Sequence, residues 1–184
     1  MKFERALVLA GMVVLMTAAG ALAQGRGAAP ACATVACEVQ GDWVINNIQL
    51  FGLAQAMPED KYGFKPTPAQ QTFGERVMHV VGVNVNLLGT LGGKTQPPMI
   101  NMQATSKVDI LTALRQQGEY GSAVLKELSD AQLTERVAGL FFMGPTATRQ
   151  RIAYFLMTHS QDTYGQLVVY LRLNGLTPPA SNRP

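Results

Sequence analysis

The chain has 184 residues, of which 47% are hydrophobic, and a formal net charge of +3. This length suits one ordinary domain with a small appendage. The charge is mild and no Lys/Arg stripe is interleaved with aromatic residues, which argues against nucleic acid as a partner. The C-x-x-C and C-x-x-C-H motifs are also absent, which excludes a thioredoxin-like redox site and a c-type haem bundle.

The first 23 residues have the features of a signal peptide. Lys2 and Arg5 give a basic start, residues 6–22 carry no charge, and residues 21–23 (Ala-Leu-Ala) form a small-x-small cleavage site. An uncleaved anchor is the alternative, because the uncharged run is nearly long enough to cross a bilayer. We expect export with removal of residues 1–23, which makes the mature protein periplasmic or secreted and leaves it without a stable membrane span.

Residues 24–38 are rich in Ala and Gly, which predicts a flexible leader. This leader holds the only two cysteines, Cys32 and Cys37. They can pair in an oxidising compartment, but two residues five apart on one helix point in different directions. The sequence leaves this disulfide open.

Apolar residues at helical spacing predict a first helix that runs from about residue 39 to residue 57. A polar loop follows over residues 58–71, in which Pro66 and Pro68 preclude a regular helix or a central strand. The loop is long for a connection, so we expect it to cover a site.

Three further helices are predicted. Thr72 and Glu75 form a capping box at the start of the second helix, which ends near residue 92. Ser106 caps the third helix, whose middle contains glycines that favour a bend or a close approach. The last helix is predicted over residues 146–174, where an Asn-Gly pair and two prolines stop it.

The segment between the third and last helices, residues 129–145, has the weakest pattern. We expect a short turn near Leu133 and an apolar plug over residues 140–143. Without a run of alternating strands or a fixed repeat, the chain is predicted to be an all-α four-helix bundle over residues 39–179, followed by a mobile tail, residues 180–184.

The chain contains two histidines, His79 in the second helix and His159 in the last. Three protein ligands with one open position make a catalytic metal site, and these two imidazoles supply two of the ligands. Thr163, four residues after His159, carries a neutral hydroxyl that is a weak ligand, while Asp162 needs a rotated helix to bind. The favoured alternative is a buried polar pair that is satisfied by hydrogen bonds.

A pocket between these two helices is the predicted functional site. We expect Asn84, Tyr164 and Gln166 to line it, although Tyr164 is favoured as a core residue. No nucleophile elbow, phosphate loop or zinc-protease motif accompanies the histidines.

Several motifs in combination resemble the DinB/YfiT-like superfamily of metalloenzymes, which is distinct from the DNA polymerase of the same name. The likeness covers residues 39–179 and is strongest at the end of the last helix. The motifs are MPEDKYGFKPTP (57–68), TFGE (72–75), His79, Asn84 and DTYGQLVVYLRLNGLTPP (162–179).

The resemblance implies an up-down-down-up four-helix bundle that is often a homodimer. It also implies a divalent metal, such as Zn, Ni or Fe, held by one histidine on the second helix and a pair on the last. His79 and His159 match two of these positions, and Thr163 stands at the third.

The expected function is therefore an exported DinB-like domain with a degenerate metal site, which acts as a binding or stress-associated module for an unidentified small molecule. Two alternatives stay open. One is a divalent-metal-dependent hydrolase or transferase that uses His79 and His159, and the other is a structural bundle without a site.

Overall fold

The computed structural model describes residues 31–182, so the predicted signal peptide and residues 24–30 lie outside the described residues. Four long helices and one short helix make up most of this part of the chain. They are α1 (Val35–Ala56), α2 (Phe73–Leu91), α3 (Lys107–Lys126), α4 (Asp130–Thr134) and α5 (Arg149–Leu173). Two short strands, β1 (Arg136–Ala138) and β2 (Thr146–Thr148), and 3-10 turns at Glu59–Lys61 and Pro179–Asn182 complete the elements.

Each long helix begins at a Ser or Thr whose hydroxyl accepts a hydrogen bond from a backbone amide of the first turn. This satisfies one of the donors that a helix start leaves unpaired. The capping box predicted for α2 is confirmed, because Glu75 also accepts from the Thr72 amide. The four caps are Thr34, Thr72, Ser106 and Thr148.

The long helices form a ring in the order α1, α3, α2, α5. Helices α1 and α3 are antiparallel, because the Trp43 indole donates to the Gly118 carbonyl at 3.1 Å while Lys107 donates to the Met57 carbonyl at 2.7 Å. The early part of one helix therefore contacts the late part of the other.

Helices α2 and α3 are parallel, since Gly74 lies beside Ile110 and Asn84 bonds to Gln117 further along both helices. Helix α5 runs antiparallel to α2, with the Arg149 guanidinium at its start on the Leu91 carbonyl. Together these contacts give the expected up-down-down-up bundle.

The core consists of two apolar clusters on either side of a polar layer. One cluster surrounds Phe73 and Tyr170, and the other surrounds Trp43 and Ile152. Between them, hydrogen-bonded amides and a hydroxyl come from all four long helices. The members of this polar layer are Asn47, Asn84, Gln117 and Ser160.

The leader is shorter than predicted, because α1 begins at Val35 and residues 35–38 are helical. Cys32 precedes the helix and Cys37 lies in its first turn, where the structure joins them in a disulfide with a Cα–Cα distance of 5.4 Å. The helical geometry that would separate the two sulfurs does not apply, since only one of them is on the helix.

The segment before α5 differs from the prediction in its two strands, in the start of α5 and in the exposure of residues 140–143. Strands β1 and β2 form an antiparallel pair, and β2 takes up residues 146–148, so α5 begins at Arg149. The predicted apolar plug is wrong, because the Phe141 side chain is 99% exposed and only Met143 of that run is buried. The turn near Leu133 is confirmed as the short helix α4.

Residues 180–182 of the predicted mobile tail belong to a 3-10 turn, Pro179–Asn182, that packs on α1 beside Gly52, and residues 183 and 184 lie outside the described residues. Within the part of the chain that the structure describes, none of the helices is both long and apolar enough to span a bilayer.

Candidate functional site

The two histidines meet between α2 and α5. Antiparallel packing of these helices puts the Nε2 atoms of His79 and His159 3.3 Å apart, with ring centroids 5.3 Å apart. Both side chains are half-buried. One ring nitrogen donates to the other, and the tautomers decide which. The sequence-based expectation that the two imidazoles converge is thus observed.

Burial lowers the pKa of both imidazoles. For His79 the Arg76 charge adds to this effect. For His159 the lowering by burial is strengthened by the charges of His79 and Arg76 and opposed by Asp162. The pair is therefore held neutral near pH 7, which is the form in which an imidazole binds a metal or accepts a proton.

Arg76 is a site residue that the sequence analysis missed. It lies three residues before His79 on α2, and residues three apart share a helix face, which is the signal that would have found it. Its Nε atom is buried without a hydrogen-bond partner, as are His159 Nδ1 and Gln71 Oε1. Native proteins leave few such atoms unpaired, so their association with the histidine pair marks this region as a site.

A cleft of about 600 Å³ opens beside His79. Its walls are the two long loops that flank α2 and the first turns of the helix itself. The predicted covering role of the 58–71 loop fits this position, since Lys65 and Gln71 lie on one wall and Met102 of the second loop lies on the other. Such a volume is typical of small-molecule sites.

The histidine pair fits two corners of a metal site. A tetrahedral Zn²⁺ with Zn–N bonds of about 2.0–2.1 Å separates its nitrogen ligands by roughly 3.3–3.4 Å, which matches the observed Nε2 separation. Within residues 31–182, however, no three His, Cys, Asp or Glu side chains are grouped so that they could hold a metal ion. The donor set is therefore one ligand short of a catalytic zinc site.

Neither candidate for the third ligand replaces the missing histidine. Thr163 is 1% exposed and offers only a neutral hydroxyl. Asp162 is exposed, and its Oδ2 accepts a hydrogen bond of 2.8 Å from Gln166. The Gln166 side chain thus holds the carboxylate along the surface of α5.

None of the three predicted lining residues, Asn84, Tyr164 and Gln166, lines this cleft. Asn84 is fully buried in the polar layer, where it bonds to Gln117 and Ser160, so it belongs to the core of the bundle. Tyr164 packs against the core and lines a separate, smaller cleft between α1 and the chain end. The core position that was favoured for Tyr164 is the one it has.

Known proteins share this architecture. A model of the DinB superfamily matches residues 49–167. The uncharacterized protein YjoA of Bacillus subtilis is 24% identical over 125 residues, which cover 68% of this chain and 81% of YjoA.

Two crystal structures have the same fold. A DinB-like protein from Bacillus cereus has a TM-score of 0.67 at 22% identity, with 79% of this chain and 96% of that one covered. The structure of Bacillus subtilis YjoA has a TM-score of 0.62 at 21% identity, with 76% and 94% covered. The family model spans more than half of the sequence, and the chain belongs to the DinB superfamily.

Proposed function

We propose that this chain is an exported DinB-like binding module whose metal site has lost its third ligand. The observation that supports the proposal is the pairing of His79 with His159 beside a buried Thr163, where a third imidazole would complete the set. A two-nitrogen site without a charged third donor holds divalent metal weakly. The cleft beside His79 then serves binding rather than metal-assisted chemistry.

A metal-dependent hydrolase or transferase is the second candidate, and the 3.3 Å separation of the Nε2 atoms favours it. In that case His79 and His159 hold the metal, and Asp162 or water completes the shell. The metal supplies Lewis-acid activation of a water or a thiol. Replacing His159 by Ala then removes both metal and turnover.

Metal analysis of the purified, untagged protein separates the two candidates. After dialysis against metal-free buffer, we expect far less than one equivalent of Zn, Ni or Fe per chain. The Thr163→His variant should bind Zn²⁺ at least about tenfold more tightly than the parent, since it restores the third nitrogen.

Tyr154→His is the matched control, because it adds a histidine to an exposed position of α5, five residues before His159. It should leave Zn²⁺ affinity unchanged. A stoichiometric metal that survives dialysis in the parent protein would overturn the proposal in favour of the metalloenzyme. A folded Thr163→His protein without tighter binding would show that the site does not have the geometry of a three-histidine centre.

The proposal includes export and self-association. The signal-peptide features of residues 1–23 support export, and mature protein that begins at Gln24 is the expected product in N-terminal sequencing. The resemblance to often dimeric relatives supports a homodimer, which sedimentation velocity would detect.

A further inference from the structure

A second groove opens at the surface between the hairpin loop, residues 139–145, and the first half of α5. Its volume is about 400 Å³, which is typical of small-molecule sites. The groove shares no lining residue with the cleft beside His79. Two phenylalanines, a tyrosine and a methionine form most of its walls, and they are Phe142, Met143, Tyr154 and Phe155.

Arg151 gives this groove a positive charge. Among the described residues that line the groove, it is the one charged side chain, and the others with polar groups are two threonines, a glutamine and the tyrosine. Arg151 is exposed, and within residues 31–182 its guanidinium forms no ion pair. Its one side-chain hydrogen bond in that range runs from Nη1 to the Met143 carbonyl at 3.5 Å. Most of its N–H groups are therefore available to a carboxylate, which a guanidinium binds through two parallel hydrogen bonds.

The carboxylates of the neighbouring segments are engaged or face another groove. Glu135 pairs with Arg149 at the end of the hairpin. Glu38 and Asp42 of α1 line a different groove, between α1 and α5. No aspartate or glutamate of the described chain lines the groove that holds Arg151, so an anion meets no opposing charge on its walls.

The walls favour an aromatic ligand rather than an inorganic anion. The ring centroids of Phe142 and Phe155 are 4.8 Å apart, with an angle of 56° between the ring planes. Phe142 is 48% exposed and Tyr154 is 72% exposed. A planar ring placed here would pack edge-to-face or offset against these side chains and would remove apolar surface from water.

The hairpin loop holds the Phe142 wall in place. The Gly139 amide donates to the Pro145 carbonyl at 3.1 Å, and a Cβ atom at Gly139 would overlap the Gly144 carbonyl oxygen. Met143, the next residue after Phe142, is buried and anchors the loop on the bundle. A wall that is ordered before the ligand arrives reduces the entropy that binding costs.

We propose that this groove binds a small aromatic carboxylate, with its oxygens on the Arg151 guanidinium and its ring against Phe142 and Phe155. A second copy of the chain fits less well, because a two-fold contact centred on the groove would bring two Arg151 charges together and would supply no carboxylate. The inference goes beyond the proposed function, since it does not depend on the metal content of the histidine pair.

Three probes separate the charge from the ring: 2-naphthoate, 2-naphthamide and acetate. Each is titrated into the purified protein, and binding is followed by NMR shifts of the backbone amides that line the groove. We expect saturable binding of 2-naphthoate. Binding of 2-naphthamide should be at least about tenfold weaker, since a charge-assisted hydrogen bond is lost. Acetate should also bind at least about tenfold more weakly, because it has no ring to bury.

Two arginine variants locate the carboxylate. Arg151→Gln should weaken 2-naphthoate by about tenfold or more and leave the weaker binding of 2-naphthamide unchanged. Arg172→Gln is the matched control, because Arg172 is an exposed arginine of the same helix that does not line the groove. It should leave the affinity for both probes unchanged.

Two neighbouring phenylalanines locate the ring. Phe142→Ala should weaken 2-naphthoate by about fivefold or more, because one aromatic wall is removed. Phe141→Ala is the matched control, since Phe141 is 99% exposed in the same loop and does not line the groove. Circular dichroism checks that all four variants are folded.

Failure of 2-naphthoate to bind, equal binding of 2-naphthoate and 2-naphthamide, or an unchanged affinity in Arg151→Gln would each overturn the inference. Equal losses in Phe142→Ala and Phe141→Ala would overturn it as well. Sedimentation velocity is run on the parent and on Phe142→Ala, and a parent dimer that this substitution dissociates would assign the groove to a second copy instead. The metal analysis of the histidine pair tests the proposed function separately.

Discussion

Gly121 shows how one residue sets the distance between two helices. A Cβ atom at this position would overlap the indole of Trp43, which is 1% exposed and donates to the Gly118 carbonyl. The sequence favoured either a bend or a close approach here, and the close approach is what the structure has. The largest side chain of α1 is thereby seated on the backbone of α3.

Gly121→Ala should destabilise the protein by about 1–3 kcal/mol or more, because the overlapping atom is part of a rigid, buried ring. Urea unfolding measures the change. Gly165→Ala is the control: Gly165 is an exposed helix position with no neighbour near its Cβ, so alanine there should stabilise by about 0.5–1 kcal/mol. Equal effects of both substitutions would contradict the contact with Trp43.

The histidine pair should make stability depend on pH. Both imidazoles have a lowered pKa in the folded protein, first because of burial, whereas an unfolded histidine titrates near 6.5. The unfolded chain therefore binds more protons as the pH falls through about 6.5, and the free energy of unfolding decreases with acid. The loss continues until the pH lies below the folded pKa values.

The double variant His79→Gln, His159→Gln isolates this effect, since the chain has no other histidine. Its free energy of unfolding should change less between about pH 7.5 and 5.5 than that of the parent. The comparison uses metal-free samples. Parallel pH curves for the two proteins would show that the imidazoles are not held neutral by the fold.

At the scale of the elements, the polar layer ties the four long helices together at one level. The Asn84 amide of α2 donates to Gln117 of α3 and to the Ser160 hydroxyl of α5, each at 3.1 Å. Gln117 in turn donates to Asn47 of α1 at 2.8 Å. A network of this kind disfavours sliding of any helix, because each shift leaves buried polar atoms unpaired.

Asn84→Ala should destabilise the protein by roughly 1–3 kcal/mol, since Gln117 and Ser160 lose their partner in the core. Thermal unfolding followed by circular dichroism measures the loss. Asn86→Ala on the exposed face of the same helix should change stability by less than about 0.5 kcal/mol. A neutral Asn84→Ala substitution would mean that water replaces the lost amide.

The start of α5 shows why element boundaries could not all be predicted. Thr146 and Thr148 both suit a helix start, and only pairing with β1 makes residues 146–148 a strand. The Arg149 amide then bonds to the Glu135 carbonyl, which fixes the end of the hairpin. This partner lies 14 residues earlier in the chain, beyond the reach of a local pattern.

At the scale of the whole molecule, the connections decide where the site lies. The parallel packing of α2 and α3 requires residues 92–106 to return along the bundle, which brings Met102 across α2 near His79. The 58–71 loop reaches the same region from the other side. The cleft is thus a consequence of the bundle topology and of two long loops.

The packing of the whole bundle explains which apolar residues of α1 are buried. Of the apolar residues of α1, Trp43 and Leu53 are buried, whereas Ile48 is 65% exposed. A helix in a ring of four has two neighbours and an open outer face, so periodicity alone does not say which apolar positions face the core. The prediction of an apolar plug over residues 140–143 was wrong for a similar reason, because an apolar run does not show by itself which surface will cover it.

The sequence by itself determined the four long helices, the caps at Thr72 and Ser106, the bundle class and the two histidines, because helical periodicity and capping are local properties that a short segment carries alone. Only the tertiary structure decided that Arg76 accompanies the pair, that Asn84 lies in the core, and that residues 146–148 form a strand. These depend on which distant segments meet, and they follow from packing and hydrogen-bond satisfaction across helices. The chemistry at the site therefore depends on contacts that only the tertiary structure shows.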